Sequence, residues 1–208
     1  DMPRMMDRMA DGNREKASAL AALNFTAKGD PFVSYGEEIG MHNIIAHSFE
    51  EIADIQGKTH YQLALQKRKT PEEALLEGNK NNRDKSRSPM QWSANEFAGF
   101  SIEKSWIKVS PDFKDNNVEV LRKDKNSIFY KYKELIALRN KEKVLQYGKY
   151  DRLEFKDNQI LYTRSFEGER ITVIVNFGKP TKIELPKGAK ILLGETHLRT
   201  NKSIIYKH

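Results

Sequence analysis

The hydrophobic period of this chain changes near residue 145, and that change limits the folds it can adopt. Upstream, apolar residues recur every three or four positions, most clearly over 126–141, where Ile128, Tyr132 and Leu135 share one helical face. Downstream the period is two, which is typical of strands with one buried face. The pattern predicts a mixed helical part followed by a compact antiparallel β module.

The β module is predicted to contain six strands. Short segments rich in Asn, Asp, Gly and Pro separate them, and such residues tolerate the backbone of tight turns. The predicted strands are 149–155, 159–166, 170–177, 181–186, 190–195 and 203–207.

The first 125 residues have the rhythm of a βα barrel or an open parallel sheet. A helix is predicted over 13–28 with Asn13 as its N-cap, and a short buried strand over 32–35 follows it. Further helices are predicted at 48–55, at 59–69 and after Thr70, where Glu73 completes a capping box. The weakly periodic region 78–118 is a long loop of the kind that often carries function.

Composition excludes several classes of function. The 36 Lys and Arg are interleaved with 29 Asp and Glu, so the net charge of +7 indicates a solvated surface better than a nucleic-acid interface. A basic nucleic-acid module therefore remains only the third hypothesis. No apolar stretch approaches the roughly 18 residues that a membrane span needs, so we expect no membrane insertion.

Cysteine and histidine usage argues against redox and metal chemistry. The chain has no Cys, which excludes disulfides and thiolate catalysis, and its five His residues lack the spacing of a zinc helix. We therefore expect no metal and no cofactor. The lack of Cys is compatible with a reducing compartment, and we predict a cytoplasmic protein.

The polar segment 79–92 is the best candidate for ligand contact. It contains Arg83, Asp84, Arg87 and Trp92. Guanidinium and carboxylate groups can bind sugar hydroxyls at two points, and aromatic faces stack on sugar rings. The alternative is a structural Arg–Asp network that holds a long loop, and composition alone favours that alternative.

Several motifs in the same order resemble glycoside hydrolase family 13, the α-amylase family. Residues 83–92 (Arg-Asp-Lys-Ser-Arg-Ser-Pro-Met-Gln-Trp) are similar to the Arg-Asp-Asn-Ala/Ser-Arg-Thr-Pro-Met-Gln-Trp segment of the group that contains oligo-1,6-glucosidases, dextran glucosidases and trehalose-6-phosphate hydrolases. Residues 1–4 (Asp-Met-Pro-Arg) resemble the end of its Asn-His-Asp-Gln/Leu/Met-Pro-Arg motif. Residues 29–41 and 127–139 resemble its eighth barrel strand and last barrel helix.

The resemblance implies roles for individual residues. Asp1 corresponds to the third catalytic carboxylate, which hydrogen-bonds the glucose ring and stabilises an oxocarbenium-like transition state in a retaining mechanism. Arg83 corresponds to an arginine that contacts the glucose at the non-reducing end. We expect Arg4 to brace the loop after the seventh barrel strand. We expect Asp84 and Arg87 to support the contacting side chains without touching the sugar.

Four other residues are given structural roles. The family pattern does not make Glu37 and Glu38 the acid and the nucleophile, so we expect them to anchor the loop. Trp92 and Trp106 are predicted to be packed and not to serve as sugar platforms.

The fold implied is α/β plus all-β: residues 1–144 as the last part of a (β/α)₈ barrel, with helix 7, strand 8, a long loop and helix 8, and residues 145–208 as a small antiparallel β-sandwich domain. The chain is interpreted as a C-terminal fragment without the nucleophile or the acid/base, and is expected to be inactive alone. Dimerisation or a rearrangement of residues 1–125 would cover its unpaired strand.

The implied substrates are short oligosaccharides, among them isomaltooligosaccharides, dextran ends, sucrose and trehalose 6-phosphate. The resemblance favours trehalose 6-phosphate as the substrate slightly, because Ser86 precedes Arg87. The alternative function is a non-catalytic amylase-fold protein that binds or scaffolds. Retention of Asp1 and Arg83 argues against that alternative.

Overall fold

The computed structural model describes residues 2–208, so the candidate catalytic Asp1 lies outside the described residues. The chain divides into two compact units. The first contains the residues up to Gly12 together with Tyr35–Lys125, and the second contains Asn13–Ser34 together with Asn126–His208. The domain boundary between residues 144 and 145 stays a prediction, because these units follow a different grouping.

The first unit is built from short helices and loops. Its α-helices are α1 (Met5–Arg8), α3 (Ile55–Gln66), α4 (Pro71–Asn81) and α5 (Val118–Leu121), and 3₁₀ turns cover Glu37–Ile39, Arg83–Ser86 and Glu96–Gly99. Helices α3 and α4 pack as a pair. Their backbones come close at Gly57 and Gly78, where an added Cβ on Gly78 would lie 3.2 Å from the Gly57 carbonyl oxygen.

Local sequence signals explain where α4 begins. The Thr70 hydroxyl accepts from Glu73 N at 3.2 Å, and the Glu73 carboxylate accepts from Thr70 N at 2.9 Å, which confirms the predicted capping box. The helix predicted over 48–55 is wrong, because α3 begins only at Ile55. The backbone N–H groups of Ala53 and Asp54 instead donate to the Asp84 carboxylate.

The second unit joins three helices to a sheet. The helices are α2 (Arg14–Thr26), α6 (Ile128–Lys141) and α7 (Lys143–Tyr147). Asn13 accepts from Lys16 N at 2.9 Å, which confirms the predicted N-cap, and α6 confirms the helix predicted over 126–141. Helix α2 packs against α6, and the Phe25 and Tyr132 rings meet edge to face at 5.7 Å.

The strands after residue 148 confirm a predicted antiparallel module. A five-stranded sheet has the order β1-β2-β3-β7-β5, and β4 pairs with β6 in a separate two-stranded sheet. The strands are β1 (Lys149–Lys156), β2 (Gln159–Phe166), β3 (Glu169–Asn176), β4 (Thr181–Lys182), β5 (Lys190–Leu193), β6 (His197–Leu198) and β7 (Lys202–Lys207). The short β6 was not predicted, and β4 is four residues shorter than the predicted 181–186.

Apolar side chains bury both faces of the central strands β3 and β7. Ile171, Val173 and Val175 are fully buried on one face. On the other face, Ile174 and Ile204 join Leu198 of β6 in a buried cluster, with Ile183 packed against it. The arrangement of the two sheets as a sandwich stays a prediction.

Two buried arginines hold the ends of helices in the second unit. Arg164 has no exposed surface and donates to the carbonyl oxygens of Thr26, Ala27, Leu145 and Gly148. Arg139 donates to the carbonyls of residues 25, 27 and 29. Since the last carbonyls of a helix lack partners within it, both guanidinium groups satisfy acceptors at the C-terminal end of α2.

The strand predicted over 32–35 is wrong. These residues form no strand, and Phe32 is 87% exposed. A strand needs a neighbour to pair with its backbone, and no strand within residues 2–208 pairs with this segment. The side chain of Asn24 donates instead to the Phe32 carbonyl oxygen at 2.9 Å.

Candidate functional site

The candidate site is built around the 3₁₀ turn Arg83–Ser86, which directly follows α4. The side chain of Asn82 accepts from Asp84 N at 2.9 Å and caps the turn. Because Asn82 is 4% exposed, this cap is part of the interior and fixes where the turn begins. Arg83 and Asp84 of the turn, and Arg87 directly after it, lie around one buried carboxylate, Asp54.

Arg83 is held by Asp54 through three contacts. Its Nε and Nη2 donate to Asp54 Oδ1 at 3.0 and 2.5 Å, and its backbone N donates to Asp54 Oδ2 at 3.1 Å. The Asp54 side chain is 1% exposed, whereas that of Arg83 is 33% exposed. The carboxylate thus anchors one side of a guanidinium that also reaches solvent.

The electrostatics of the pair favour its charged form. Hydrogen bonds from Arg83 outweigh the cost of burial and lower the pKa of Asp54 from 3.8 to about 2, and the same contacts raise the pKa of Arg83. Arg87 Nη1 lies 4.0 Å from Asp54 Oδ1. Two cations therefore share one buried anion, and the cluster can present hydrogen-bond donors to a neutral or anionic ligand.

Asp84 performs an internal role in the same cluster. It is 3% exposed, and its Oδ2 accepts from the backbone N of Ala53 at 2.8 Å and of Asp54 at 2.9 Å. Its Oδ1 is buried and has no hydrogen-bond partner among residues 2–208. Asp84 thus fixes the backbone that carries Asp54, which in turn holds Arg83.

Arg4 ties three separated segments of the first unit together. It is 6% exposed, and it donates to Tyr35 O at 2.8 Å and to Ser88 Oγ and O at 3.2 and 3.3 Å. The guanidinium carbon lies 4.9 Å from the centre of the Tyr35 ring. Burial lowers the pKa of Arg4. Tyr35 reinforces the link, since its hydroxyl donates to Ser88 O at 2.9 Å.

Asp7 provides a second link near Arg4. Its carboxylate accepts from Asn43 N at 2.5 Å and contacts His42 Nδ1 at 2.7 Å. The backbone N of Arg4 donates to Asn43 Oδ1 at 2.9 Å. Arg4 and Asp7 are therefore both tied to residues 42 and 43.

The other predicted residues divide between internal and surface positions. Glu38 accepts from Gly36 N at 2.9 Å, which is a loop-anchoring contact. The predicted packing of Trp92 and Trp106 is wrong, because these residues are 50% and 78% exposed. The backbone of Trp92 is fixed instead, since Trp92 N donates to Ala98 O at 2.9 Å.

Sequence reasoning missed Asp54, the residue that organises the site. The helix predicted over 48–55 included Asp54, whereas in the structure Asp54 occupies the N-cap position of α3. It also missed Tyr35 and Ser88 as acceptors for Arg4. Their backbone carbonyls, which take part in these bonds, carry no signal in side-chain chemistry.

Among the residues that the structure describes, this cluster is accompanied by neither a metal site nor a membrane-spanning helix. Within residues 2–208, no three His, Cys, Asp or Glu side chains are grouped so that they could hold a metal ion. Over the same residues, none of the helices has the length and apolar character to cross a bilayer.

The known proteins that this chain resembles in sequence include two kinds of glycoside hydrolase. The chain is 38% identical over 204 residues to an oligo-1,6-glucosidase of Halalkalibacterium halodurans, covering 95% of this chain and 36% of that protein. It is 32% identical over 184 residues to a trehalose-6-phosphate hydrolase of Escherichia coli, covering 86% of this chain and 33% of that protein. The chain thus spans about a third of the length of these relatives.

A solved structure of a glycoside hydrolase is also similar to this chain. The trehalose-6-phosphate hydrolase of Bacillus licheniformis superposes with a TM-score of 0.87 at 30% identity, over 100% of this chain and 41% of that one. The alpha-amylase catalytic domain family matches residues 1–148. The relatives are glycoside hydrolases, and this chain belongs to the alpha-amylase family.

Proposed function

We propose that the complete protein is a retaining, exo-acting α-glucosidase that hydrolyses α-glucosidic bonds of short oligosaccharides. In this proposal residues 1–144 form the last part of a (β/α)₈ barrel, and residues 145–208 form a β-sandwich domain. The named relatives include an oligo-1,6-glucosidase and a trehalose-6-phosphate hydrolase, so isomaltooligosaccharides and trehalose 6-phosphate are the two proposed substrate classes.

The observation that carries the proposal is the anchoring of Arg83 by buried Asp54. A ligand arginine needs one side fixed and another accessible, and the Arg83 side chain is one-third exposed beside a carboxylate that is 1% exposed. A guanidinium held before substrate arrives loses little conformational entropy on binding a sugar hydroxyl. Recognition of one glucose unit at a chain end suits exo-action.

Asp1 is proposed to supply the third carboxylate of the reaction. It would hydrogen-bond ring hydroxyls more strongly in the oxocarbenium-like transition state than in the ground state, which raises the rate. Arg4 and Asp7, three and six positions later, hold the chain that follows it. Residues outside this chain are proposed to supply the nucleophile and the proton donor, so the 208-residue chain alone should release no glucose.

A non-catalytic binding or scaffolding protein is the alternative that the experiment must separate. Hydrolysis of isomaltose and of trehalose 6-phosphate is measured with the complete protein and with its Arg83→Ala and Arg83→Lys variants. We expect turnover of at least one substrate, and a large loss in both variants, because Lys cannot reproduce the planar fork that contacts Asp54.

Arg152→Ala is the matched control. Arg152 also forms a fork with a carboxylate, through Nε to Glu154 Oε1 at 2.7 Å and Nη2 to Glu154 Oε2 at 2.8 Å, but on an exposed strand. Its loss should leave turnover unchanged. If the unmodified protein turned over neither substrate, the hydrolase proposal would be refuted and the binding protein favoured.

A cytoplasmic location and self-association of the isolated chain stay predictions.

A further inference from the structure

The second unit contains a groove whose lining combines aromatic and charged side chains. It lies beside α7, where β1 and β3 begin and β2 ends, and its volume is about 560 Å³. That size is within the range of roughly 300–1,000 Å³ typical of small-molecule sites. None of its lining residues belongs to the Arg83 cluster.

Two rings form the apolar wall of the groove. The Tyr147 and Phe166 ring centres are 5.6 Å apart, and the planes are tilted by 44°. Tyr147 is 64% exposed, so much of this residue is open to solvent. An exposed, tilted aromatic pair can stack against the C–H face of a pyranose ring.

A β-bulge brings a hydrogen-bonding pair to the same place. The β1–β2 register shifts between Tyr150 and Arg152, which leaves Asp151 without a strand partner. The Ser165 hydroxyl donates to Asp151 Oδ1 at 2.8 Å. Bulges commonly re-aim side chains beside binding sites, and this pair offers both a carboxylate and a hydroxyl to a ligand.

The charges around Ser165 are balanced. Lys149 and Arg170 occupy the positions opposite Ser165 on the two neighbouring strands, and Glu167 and Asp151 complete the lining. Two cations and two anions do not favour a phosphate or a metal ion. They do suit a neutral ligand that both donates and accepts hydrogen bonds.

We propose that this groove is a second saccharide site, which binds one or two pyranose units of a neutral oligosaccharide by stacking on Tyr147 and by hydrogen bonds to the Asp151–Ser165 pair. The proposal depends on the groove's own lining and does not require hydrolysis. It would hold an oligosaccharide on the protein independently of the Arg83 cluster.

The test measures the NMR signal of the Gly168 amide. Gly168 lies in the β2–β3 turn and lines the groove. The complete protein is labelled with ¹⁵N-glycine, and the Gly168 amide signal is assigned by its loss in Gly168→Asn. Asparagine tolerates the left-handed backbone at this position, where φ is +84°. Isomaltotriose with sulfur linkages, which resist hydrolysis, is titrated in, and the Gly168 shift gives a Kd.

We expect the Gly168 signal to move to saturation. Tyr147→Ala should weaken binding about tenfold, equivalent to about 1.4 kcal/mol, and Asp151→Ala should weaken it about fivefold, near the contribution of one hydrogen bond. Phe155→Ala is the matched control, because Phe155 is an exposed β1 aromatic outside the groove lining. It should leave the Kd unchanged.

Three outcomes would overturn the proposal: an unmoved Gly168 signal, a Kd that Tyr147→Ala does not change, or a Gly168 shift produced by inorganic phosphate and not by the sugar. Failure of the hydrolase proposal would be recognised separately. In that case turnover is absent, while the Gly168 titration still reports on the groove.

Discussion

Arg83 and Asp54 lie 29 positions apart, and both Nε and Nη2 of Arg83 donate to the same Asp54 oxygen, at 3.0 and 2.5 Å. The carboxylate is buried and the guanidinium is partly exposed. Asp84 holds the backbone beneath the pair by accepting from Ala53 N and Asp54 N. The proposed contact to sugar therefore depends on residues that would not touch the sugar themselves.

Replacing Asp54 by Asn should impair catalysis without removing Arg83. The Asn side chain carries no negative charge, and its NH2 group cannot accept from Arg83 N as Asp54 Oδ2 does, so Arg83 would shift from its present position. We expect kcat/KM on the preferred substrate to fall about 100-fold, the size expected when a catalytic contact moves by about 1 Å. Steady-state kinetics of the complete protein measures this loss.

Glu51→Gln is the control for that variant. Glu51 also pairs with a cation, since Lys108 Nζ donates to it at 2.6 Å, but its side chain is 39% exposed. Its kinetics should match the unmodified protein. Equal activity of Asp54→Asn and Glu51→Gln would show that Asp54 does not position Arg83 for the reaction.

The Asp54–Arg83 pair should make stability depend on pH in acid. The folded state lowers the pKa of Asp54 from 3.8 to about 2. The stabilisation is therefore complete above pH about 4 and is lost as the pH falls towards about 2. Urea midpoints measured across that range should converge for the unmodified protein and Asp54→Asn. A difference that stays constant down to pH about 2 would contradict this account.

Arg164→Met should destabilise the second unit strongly. The substitution removes the donors for buried carbonyls of Thr26, Leu145 and Gly148. Each buried acceptor left without a partner costs about 1–3 kcal/mol, so we expect a loss of at least about 3 kcal/mol. Urea unfolding measures it, with Arg152→Met on the exposed strand as control. An equally small effect of both variants would count against the carbonyl-binding role.

Gly36→Ala and Gly188→Ala separate backbone strain from crowding. Their φ angles are similar, +88° and +83°, but an added Cβ on Gly36 would lie 2.5 Å from Met41 Sδ and 2.9 Å from Arg4 Nη1. Gly188 has no heavy atom within 4 Å of such a Cβ. Both variants should lose about 1–2 kcal/mol from the left-handed backbone.

Gly36→Ala should lose more stability than Gly188→Ala, because Met41 and Arg4 must move to admit the methyl group. Thermal unfolding of the two variants compares the losses directly. Equal losses would mean that the Arg4 side chain shifts without cost.

Local chemistry made several elements predictable. The Thr70–Glu73 capping box and the Asn13 cap depend on residues three positions apart, and strand β2 covers the predicted residues 159–166. These features follow from short-range hydrogen bonding and from a period of two between turn residues. The family resemblance identified Arg83, Asp84 and Arg87 as neighbours in one candidate site.

Long-range partners were not predictable in the same way. In the sequence Asp54 falls inside the helix predicted over 48–55, and only the folded chain brings it to Arg83. The segment 32–35 has the composition of a buried strand but no pairing neighbour within residues 2–208, so Phe32 is exposed. Trp92 is a large apolar residue of the kind expected in a core, but it is 50% exposed. Apolar character alone does not determine whether a residue is buried.

A structure of the complete protein with glucose bound at the non-reducing-end position tests the central claim most directly. The account predicts that an Arg83 nitrogen lies within hydrogen-bond distance of a glucose hydroxyl while Asp54 still holds its other edge, and that Asp1 contacts the same ring. A glucose bound away from Arg83, with the Arg83–Asp54 pair facing only protein, would contradict it.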